Sequence, residues 1–345
     1  MKTSIILLVS PEPWKHIFVS KHHYAIELAN RGHTVLFLNP PSDKYSLQST
    51  EYDNLYEVNY PGFLKGLKLF PRFFRVFSTR KVFRKIELLI QSSIDILWSF
   101  DNSVFFEMSA LPSHVYRISH IVDENMNFQF ARAAISADLC LGSTRNIVRR
   151  LREVNENAHF INHGYSEHMP DHFSLPKTDK IRVGYAGNLD IRYIDWKLIE
   201  EIVNKHPDVE FYFAGSGSGP LFSENVLYSG KLTKTQLTGF YQAMDALMIV
   251  YRADEFPNQL ANPHKMMEYL ASGKPIIATL THEYENYSSI AMSKRNGEFP
   301  DLFEQFIQNL QVWDTVALRN ERMQIAIANT YHKQVSRIEN LMGIS

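Results

Sequence analysis

Asn262-Pro263-His264-Lys265-Met266-Met267-Glu268-Tyr269-Leu270-Ala271-Ser272-Gly273-Lys274-Pro275 is the stretch that decides the fold. Both of its ends are helix punctuation. Asn262 is placed as an N-cap and Pro263 as a first helical residue that needs no N–H. Gly273 is placed for a left-handed C-terminal cap, and Pro275 blocks continuation. The spacing predicts a helix over Pro263–Ser272, whose N-terminus offers unpaired N–H groups and a positive dipole end to an anion such as a diphosphate. Lys265 in that first turn opposes the dipole and makes little sense for stability alone, but it makes sense if an anion binds there. Glu268 lies three residues on, on the same face, where a carboxylate can accept hydrogen bonds from ribose hydroxyls. The bland alternative is a surface Lys–Glu pair.

Outward from this helix, strands and helices alternate. Strands are expected at Ile181–Ala186, Val209–Ala214, Asn225–Ser229, Ala246–Tyr251 and Pro275–Thr279, and helices at Trp196–Lys205 and Gln236–Ala243. The N-terminal half opens in the same way. A strand at Ser4–Val9, a helix at Val19–Asn30 stopped by Arg31-Gly32-His33 and a strand at Thr34–Leu38 make a β-α-β unit. Further strands are expected at Ile94–Trp98, Val115–Ile118, Leu139–Gly142 and Ala158–Ile161. Ser166–Lys180, with Pro170, Pro176 and many polar residues, reads as a linker. The reading is thus α/β: two doubly wound parallel-sheet domains, with ligands at the carboxyl ends of the strands across a cleft. The expected boundaries are 1–165, a linker at 166–180, 181–317, and C-terminal helices at 318–345 that pack back toward the N-terminal domain.

Composition agrees. The 345 residues are 45% hydrophobic and 21% charged, with a net charge of −1. That suits a packed globular chain and excludes a general polyanion binder. The single cysteine, Cys140, excludes an internal disulfide and a cysteine-based zinc cluster, and suits a reducing cytosol. The apolar run at Ile5–Val9 is too short for a signal segment or a membrane span.

Pro263-x-Lys265-x-x-Glu268-Tyr269-Leu270-Ala271-x-Gly273-Lys274-Pro275 resembles the donor-site signature of the GT-B "group 1", family 4-type glycosyltransferases, in particular the branch that builds bacterial exopolysaccharides, capsules and teichuronic acids. Gly184-Tyr185-Ala186-Gly187-Asn188-Leu189 with Asp195, Phe211-Tyr212-Phe213-Ala214-Gly215, Gly230-Lys231-Leu232, Leu28-Ala29-x-Arg31-Gly32-His33 and Asn39-Pro40-Pro41 extend the resemblance along most of the chain. It implies two Rossmann-like domains and a UDP- or GDP-linked sugar donor, with no metal and no other cofactor. It also implies roles. Gly187 and Asn188 would lie near the phosphates, Leu232 against the base and Tyr251 along the donor pocket. Asn262, Pro263, His264 and Lys265 would meet the diphosphate, and Glu268 the ribose. The family's Glu-x7-Glu pair is incomplete, because Leu260 stands at the first position.

For the acceptor, Asp123 and His120 follow the Val115–Ile118 strand and are the candidate catalytic residues. Glu124 and Phe128 lie just beyond. A capping Asp123 and a structurally satisfied His120 are the alternative. The segment from Val58 to Ile86 carries Lys65, Lys68, Arg72, Arg75, Arg80, Lys81, Arg84 and Lys85 and no acidic residue, while the remainder holds 28 basic and 37 acidic residues. Interleaved with Phe70, Phe73, Phe74 and Phe77, it reads as a patch for an anionic membrane surface. A core helix and a nucleic-acid patch are the other readings.

Gly215-Ser216-Gly217-Ser218-Gly219-Pro220 fails the dinucleotide fingerprint at Pro220. His168 and His172 sit in the linker and do not argue for a metal. The function expected is transfer of a sugar to a saccharide or lipid-linked acceptor in cell-surface polysaccharide synthesis, by a cytoplasmic protein peripheral on the inner face of the plasma membrane, with no nucleic-acid partner. A nucleotide-sugar epimerase and a non-catalytic sugar-nucleotide-binding protein are the competing readings.

Overall fold

The computed structural model describes residues 3–343, except Ile17, Asn102, residues 124–129, His168, Pro170 and His172. Contacts divide the chain into two compact units, one of residues 1–164 and 331–345, the other of residues 165–330.

The first unit carries β1 (Ile5–Val9), α1 (Ser20–Asn30), β2 (Thr34–Leu38), β3 (Ser46–Ser49), β4 (Leu55–Asn59), α2 (Arg72–Ile90), β5 (Ile96–Ser99), β6 (Tyr116–Ile121), α3 (Ala131–Ser136), β7 (Leu139–Gly142), α4 (Arg145–Arg152) and β8 (Ala158–Phe160). The strands form one sheet in the order β3-β4-β2-β1-β5-β6-β7-β8, parallel except for the β3–β4 pair. Apolar runs such as Ile5-Ile6-Leu7-Leu8-Val9 are covered on both faces, as parallel strands require. The chain builds outward from β1 to β4 and then returns to β5, so the order reverses between β1 and β5.

The second unit carries β9 (Ile181–Ala186), α5 (Trp196–Lys205), β10 (Val209–Ala214), β11 (Val226–Gly230), α6 (Lys234–Ala243), β12 (Ala246–Ile249), α7 (Lys265–Ser272), β13 (Ile276–Ala278), β14 (Ile290–Met292), α8 (Phe299–Gln308), α9 (Leu310–Trp313) and α10 (Val316–Ala328). Its sheet is wholly parallel in the order β11-β10-β9-β12-β13-β14. Here the reversal falls between β9 and β12, and the crevice beyond those strand ends is where such a sheet binds ligands.

Two boundaries differ from the sequence reading. The stretch at 166–180 packs on the second unit in its described residues. Phe173 meets Phe240 edge-on at 5.5 Å, Asp171 N donates to Thr235 O at 3.1 Å, and Gly239 leaves room for the Asp171 carbonyl. Its polar composition concealed the apolar anchors Phe173 and Leu175, which pack on that core. The tail at 318–345 is two pieces. α10 packs on α7 in the second unit, where Arg322 and Ala326 are buried. α11 (Tyr331–Met342) belongs to the first unit, packing on α1 with Tyr331, Val335 and Ile338 in the core and Arg31 paired with Glu339. The break falls after Thr330, next to Asn329, whose carbonyl accepts from Tyr165 N at 2.9 Å.

Candidate functional site

α7 opens later than its punctuation predicts. It runs over Lys265–Ser272, His264 before it already has helical backbone angles, and the turn is tightened by Met266 N donating to Pro263 O at 3.0 Å. The residue at the N-cap position is His264, not Asn262. The Asn262 side chain is buried, and its Oδ1 accepts from the Tyr284 hydroxyl at 2.8 Å, which holds it in the core. Pro263 is half-buried and His264 exposed. At the other end Gly273 takes the left-handed conformation, φ +71°, as a C-terminal cap. Met266, Met267, Tyr269 and Leu270 form the buried face, and the Tyr269 hydroxyl accepts from Ala186 N at 2.9 Å. The helix is thereby tied to the carboxyl end of β9, beside the reversal point.

Lys265 points into a cradle of phenols. Its Nζ donates to the Tyr185 hydroxyl at 2.6 Å and lies 3.9 Å from the Tyr185 ring centre and 5.2 Å from that of Tyr251. The two hydroxyls are 3.4 Å apart. Burial, then the neighbouring Tyr251, push the Tyr185 phenol well above its ordinary range, so it stays neutral. Among the described residues no carboxylate forms an ion pair with Lys265. Ring faces and a neutral hydroxyl hold the ammonium by cation–π attraction, typically about 0.5–2 kcal/mol, and leave its charge for a ligand.

Gly187 closes over the same ammonium. A Cβ built on it would stand 2.4 Å from Lys265 Nζ. Its N–H donates to Ala214 O at 2.8 Å, and Leu189 N donates to Ser216 O at 2.7 Å. Gly215 lies directly on this loop, since a Cβ there would meet the Gly187 carbonyl oxygen at 1.7 Å. Asn188 Oδ1 accepts from Asp190 N, and Asp190 accepts from Ser218 N. The glycine-rich loop after β10 therefore layers on the Gly187 loop.

Glu268 stands one turn beyond Lys265. It is open to solvent by surface area yet densely surrounded, and that crowding raises its carboxyl above the ordinary value. The Tyr241 hydroxyl, donating to Oε2 at 2.6 Å, and the Lys265 and Lys234 charges act in the opposite direction. Lys234 is half-buried at the start of α6, and burial lowers its pKa while Glu268 raises it. Tyr185, Tyr241 and Lys234 were missed from sequence, because tyrosines in strands and helices read as core. The signal available was Lys234, two residues after Leu232 at a helix start. Leu232 is half-buried against the core, Tyr251 is buried after β12, and Leu260 is fully packed into the core.

In the first unit His120 is sealed. Its ring lies 4.6 Å from Phe100 and 5.4 Å from Tyr24, and its Nδ1 accepts from the Trp98 indole at 3.3 Å. Burial, then His163 and Lys21, lower its pKa to about 3. It is a neutral imidazole with the proton on Nε2. Asp123 lies in the bend after β6 with its side chain exposed. Glu124 and Phe128 fall outside the described residues.

The basic segment divides. Lys65, Lys68, Arg72, Arg80, Lys81, Arg84 and Lys85 are exposed. Arg75 is a correction: it is half-buried, pairs with Glu107 at 2.6 Å and donates to Phe70 O, because the carboxylate on the neighbouring segment draws it inward. The second half of α2 buries Thr79, Val82, Phe83 and Ile86. The first half exposes Phe73, Phe74 and Phe77, with Leu64 and Leu69 before it, Leu69 to 91%. A hollow of about 850 Å³ lies between these rings, Arg72, Arg80 and Ser109. Among the described residues no helix is long and apolar enough to cross a membrane, and no group of three or more His, Cys, Asp or Glu is placed to hold a metal.

No protein-family model matches the chain. A 150-residue stretch is 24% identical to a Bacillus subtilis (strain 168) protein, TuaH, described as a teichuronic acid biosynthesis glycosyltransferase. That match covers 39% of this chain and 37% of the relative, so the chain spans little more than a third of it. Solved structures match throughout. Sucrose-phosphate synthase from Thermosynechococcus elongatus superposes with a TM-score of 0.72 at 14% identity, over 99% of this chain and 98% of its own. A glycosyltransferase from Rickettsia africae gives 0.69 at 12%, over 100% and 99%. An E. coli trehalose-6-phosphate structure bound with UDP-2-fluoro glucose gives 0.68 at 11%, over 99% and 100%. The chain has the GT-B fold of glycosyltransferases, with two parallel-sheet α/β units.

Proposed function

We propose that the chain is a glycosyltransferase whose second unit binds a nucleoside-diphosphate sugar and passes the sugar to a saccharide acceptor. One observation carries this reading: the Lys265 ammonium is held by Tyr185 and Tyr251 without a carboxylate, at the N-terminus of α7 and against Gly187. A diphosphate leaving group needs its developing charge neutralised, and a fixed cation at a helix N-terminus supplies that without a metal. Glu268 would hold the ribose, and Leu232 would lie beside the base. UDP is the first donor nucleotide to try, since a structural neighbour is bound with UDP-2-fluoro glucose. GDP is the second.

On the acceptor side Asp123 is the favoured base, because it is exposed while His120 is buried and neutral. A lipid-linked acceptor and a role in cell-surface polysaccharide synthesis follow from the resemblance. The exposed phenylalanines and seven cations around the start of α2 support peripheral attachment to an anionic membrane on its cytoplasmic side: rings enter the interface while each Lys or Arg near the surface adds about 1 kcal/mol.

The test is calorimetric titration of UDP and GDP in chelator, with wild type and Lys265→Ala, followed by incubation with the matching nucleotide sugars alone. Tight binding lost in the variant supports the donor site, and unchanged affinity refutes it. An epimerised sugar without acceptor would replace transfer by isomerisation.

A further inference from the structure

Arg322 on α10 is fully buried, and among the described residues no carboxylate forms an ion pair with its guanidinium. Four of its hydrogen bonds go to backbone carbonyls. Nε and Nη2 both donate to Gly273 O, at 3.0 and 2.9 Å. Nη1 donates to Ser289 O at 3.1 Å and Nη2 also to Trp313 O at 3.0 Å. Burial lowers its pKa to about 10, so it remains charged at neutral pH. Asp314 attracts it from a distance without forming an ion pair, and a buried charge held mainly by backbone dipoles is costly unless its surroundings are fixed to receive it.

The receiving group is the C-terminal end of α7. Gly273 is the left-handed cap of that helix, where the unpaired carbonyls and the negative end of the dipole gather. A guanidinium there closes the end of α7 as a cation, and it joins that end to the residue before β14 and to the end of α9. Packing agrees, since a Cβ on Gly273 would meet Arg319 Cγ at 2.8 Å. Eight residues separate the two ends of α7, about 12 Å of helix. Lys265 at the far end must stay 2.6 Å from the Tyr185 hydroxyl, so a small slide of α7 along its axis takes the ammonium out of its cradle.

We infer that Arg322 is a positioning residue that clamps α7 by its C-terminus and so sets where Lys265 meets the diphosphate of the donor. This rests on the donor-site reading above. It assigns α10 a part in ligand affinity through its packing on α7.

The full-length protein tests it. UDP and GDP affinities are measured well below the unfolding temperature for wild type, Arg322→Gln, Arg322→Lys and Phe303→Leu. Phe303 packs on Phe211 and Phe299, away from α7, and its truncation matches a loss of stability without touching the clamp. Arg322→Gln is expected to weaken nucleotide binding about tenfold, Arg322→Lys less, and Phe303→Leu by under twofold at a similar drop in melting temperature. Hydrogen exchange across residues 265–272 is expected to quicken in Arg322→Gln while α5 stays protected. Unchanged affinity in the Arg322 variants, or equal losses in Arg322→Gln and Phe303→Leu, overturns the inference. If wild type binds neither nucleotide, the donor reading falls, and exchange in α7 alone decides whether Arg322 clamps the helix. Should Arg322→Gln fail to fold, Arg322→Lys carries both measurements.

Discussion

Lys265 and Tyr185 are joined twice, by a 2.6 Å hydrogen bond from ammonium to phenol and by the ammonium's position 3.9 Å from the same ring. The strand residue and the helix residue are 80 apart in sequence, and they meet because β9 and β12 flank the reversal point of the sheet.

Lys265→Ala should therefore weaken nucleoside-diphosphate binding by about a hundredfold, since hydrogen bonds to charged groups are worth about 1.5–3 kcal/mol and the long-range charge is lost as well. Tyr185→Phe keeps the ring and removes the hydroxyl, and a loss of about threefold to tenfold is expected. Calorimetry on both, with circular dichroism to confirm folding, separates the charge from its support.

Gly187→Ala should fold and bind poorly. The added Cβ falls 2.4 Å from Lys265 Nζ, the far end of a flexible side chain, and Gly187 has a φ of +157° that strains any side chain, so the lysine and the loop both shift. Nucleotide affinity is expected to fall about tenfold or more, by an ammonium displaced from its cradle. A variant that binds like wild type would show that Nζ is not the diphosphate contact.

Arg75 and its neighbours should behave oppositely. Arg75→Ala leaves the buried Glu107 without its partner and is expected to cost about 2–4 kcal/mol of stability while vesicle binding holds. Phe73→Ser with Phe77→Ser should leave stability nearly unchanged and remove co-sedimentation with phosphatidylglycerol vesicles at low salt. Lipid binding that ignores the two phenylalanines would assign the attachment elsewhere.

His120 gives a pH signature. Its folded pKa of about 3 lies below the ordinary histidine value of 6.5. As pH falls through 6.5 the unfolded chain takes up the proton first, so stability is fully present above 6.5 and is lost progressively toward 3. Denaturant titrations of His120→Phe between pH 6 and pH 4 should show a slope shallower by up to about 1.4 kcal/mol per pH unit. Burial also lowers the pKa of His22 and His159, so part of the slope remains. A rate profile that titrates with His120 near neutrality would place that residue in contact with solvent after all.

The strands were largely legible because parallel strands covered on both faces leave unbroken apolar runs, as at Ile5–Val9 and Leu139–Gly142. β3 escaped because Ser46-Leu47-Gln48-Ser49 is an edge strand with little buried, β4 because Glu57 and Asn59 break its apolar run, and β14 because three residues carry no period. Helix α7 was legible from Gly273 and the lysine placed against its dipole. The fate of Asn262 was not, because its partner Tyr284 lies 22 residues away. The cradle was invisible for the same reason: Tyr185 and Tyr251 look like core until the sheet order brings them beside Lys265.

The first unit is discontinuous in the chain. Val335 and Ile338 of α11 fill its core, and Gln334 Nε2 donates to Asn162 O at 2.9 Å. A ribosome makes residues 165–330 between the two parts. The second unit can thus be finished while the first still lacks a helix, and the face of α1 that awaits Tyr331, Val335 and Ile338 stays uncovered until translation has passed residue 338. Order of synthesis and order of completion are reversed for the two halves of this protein.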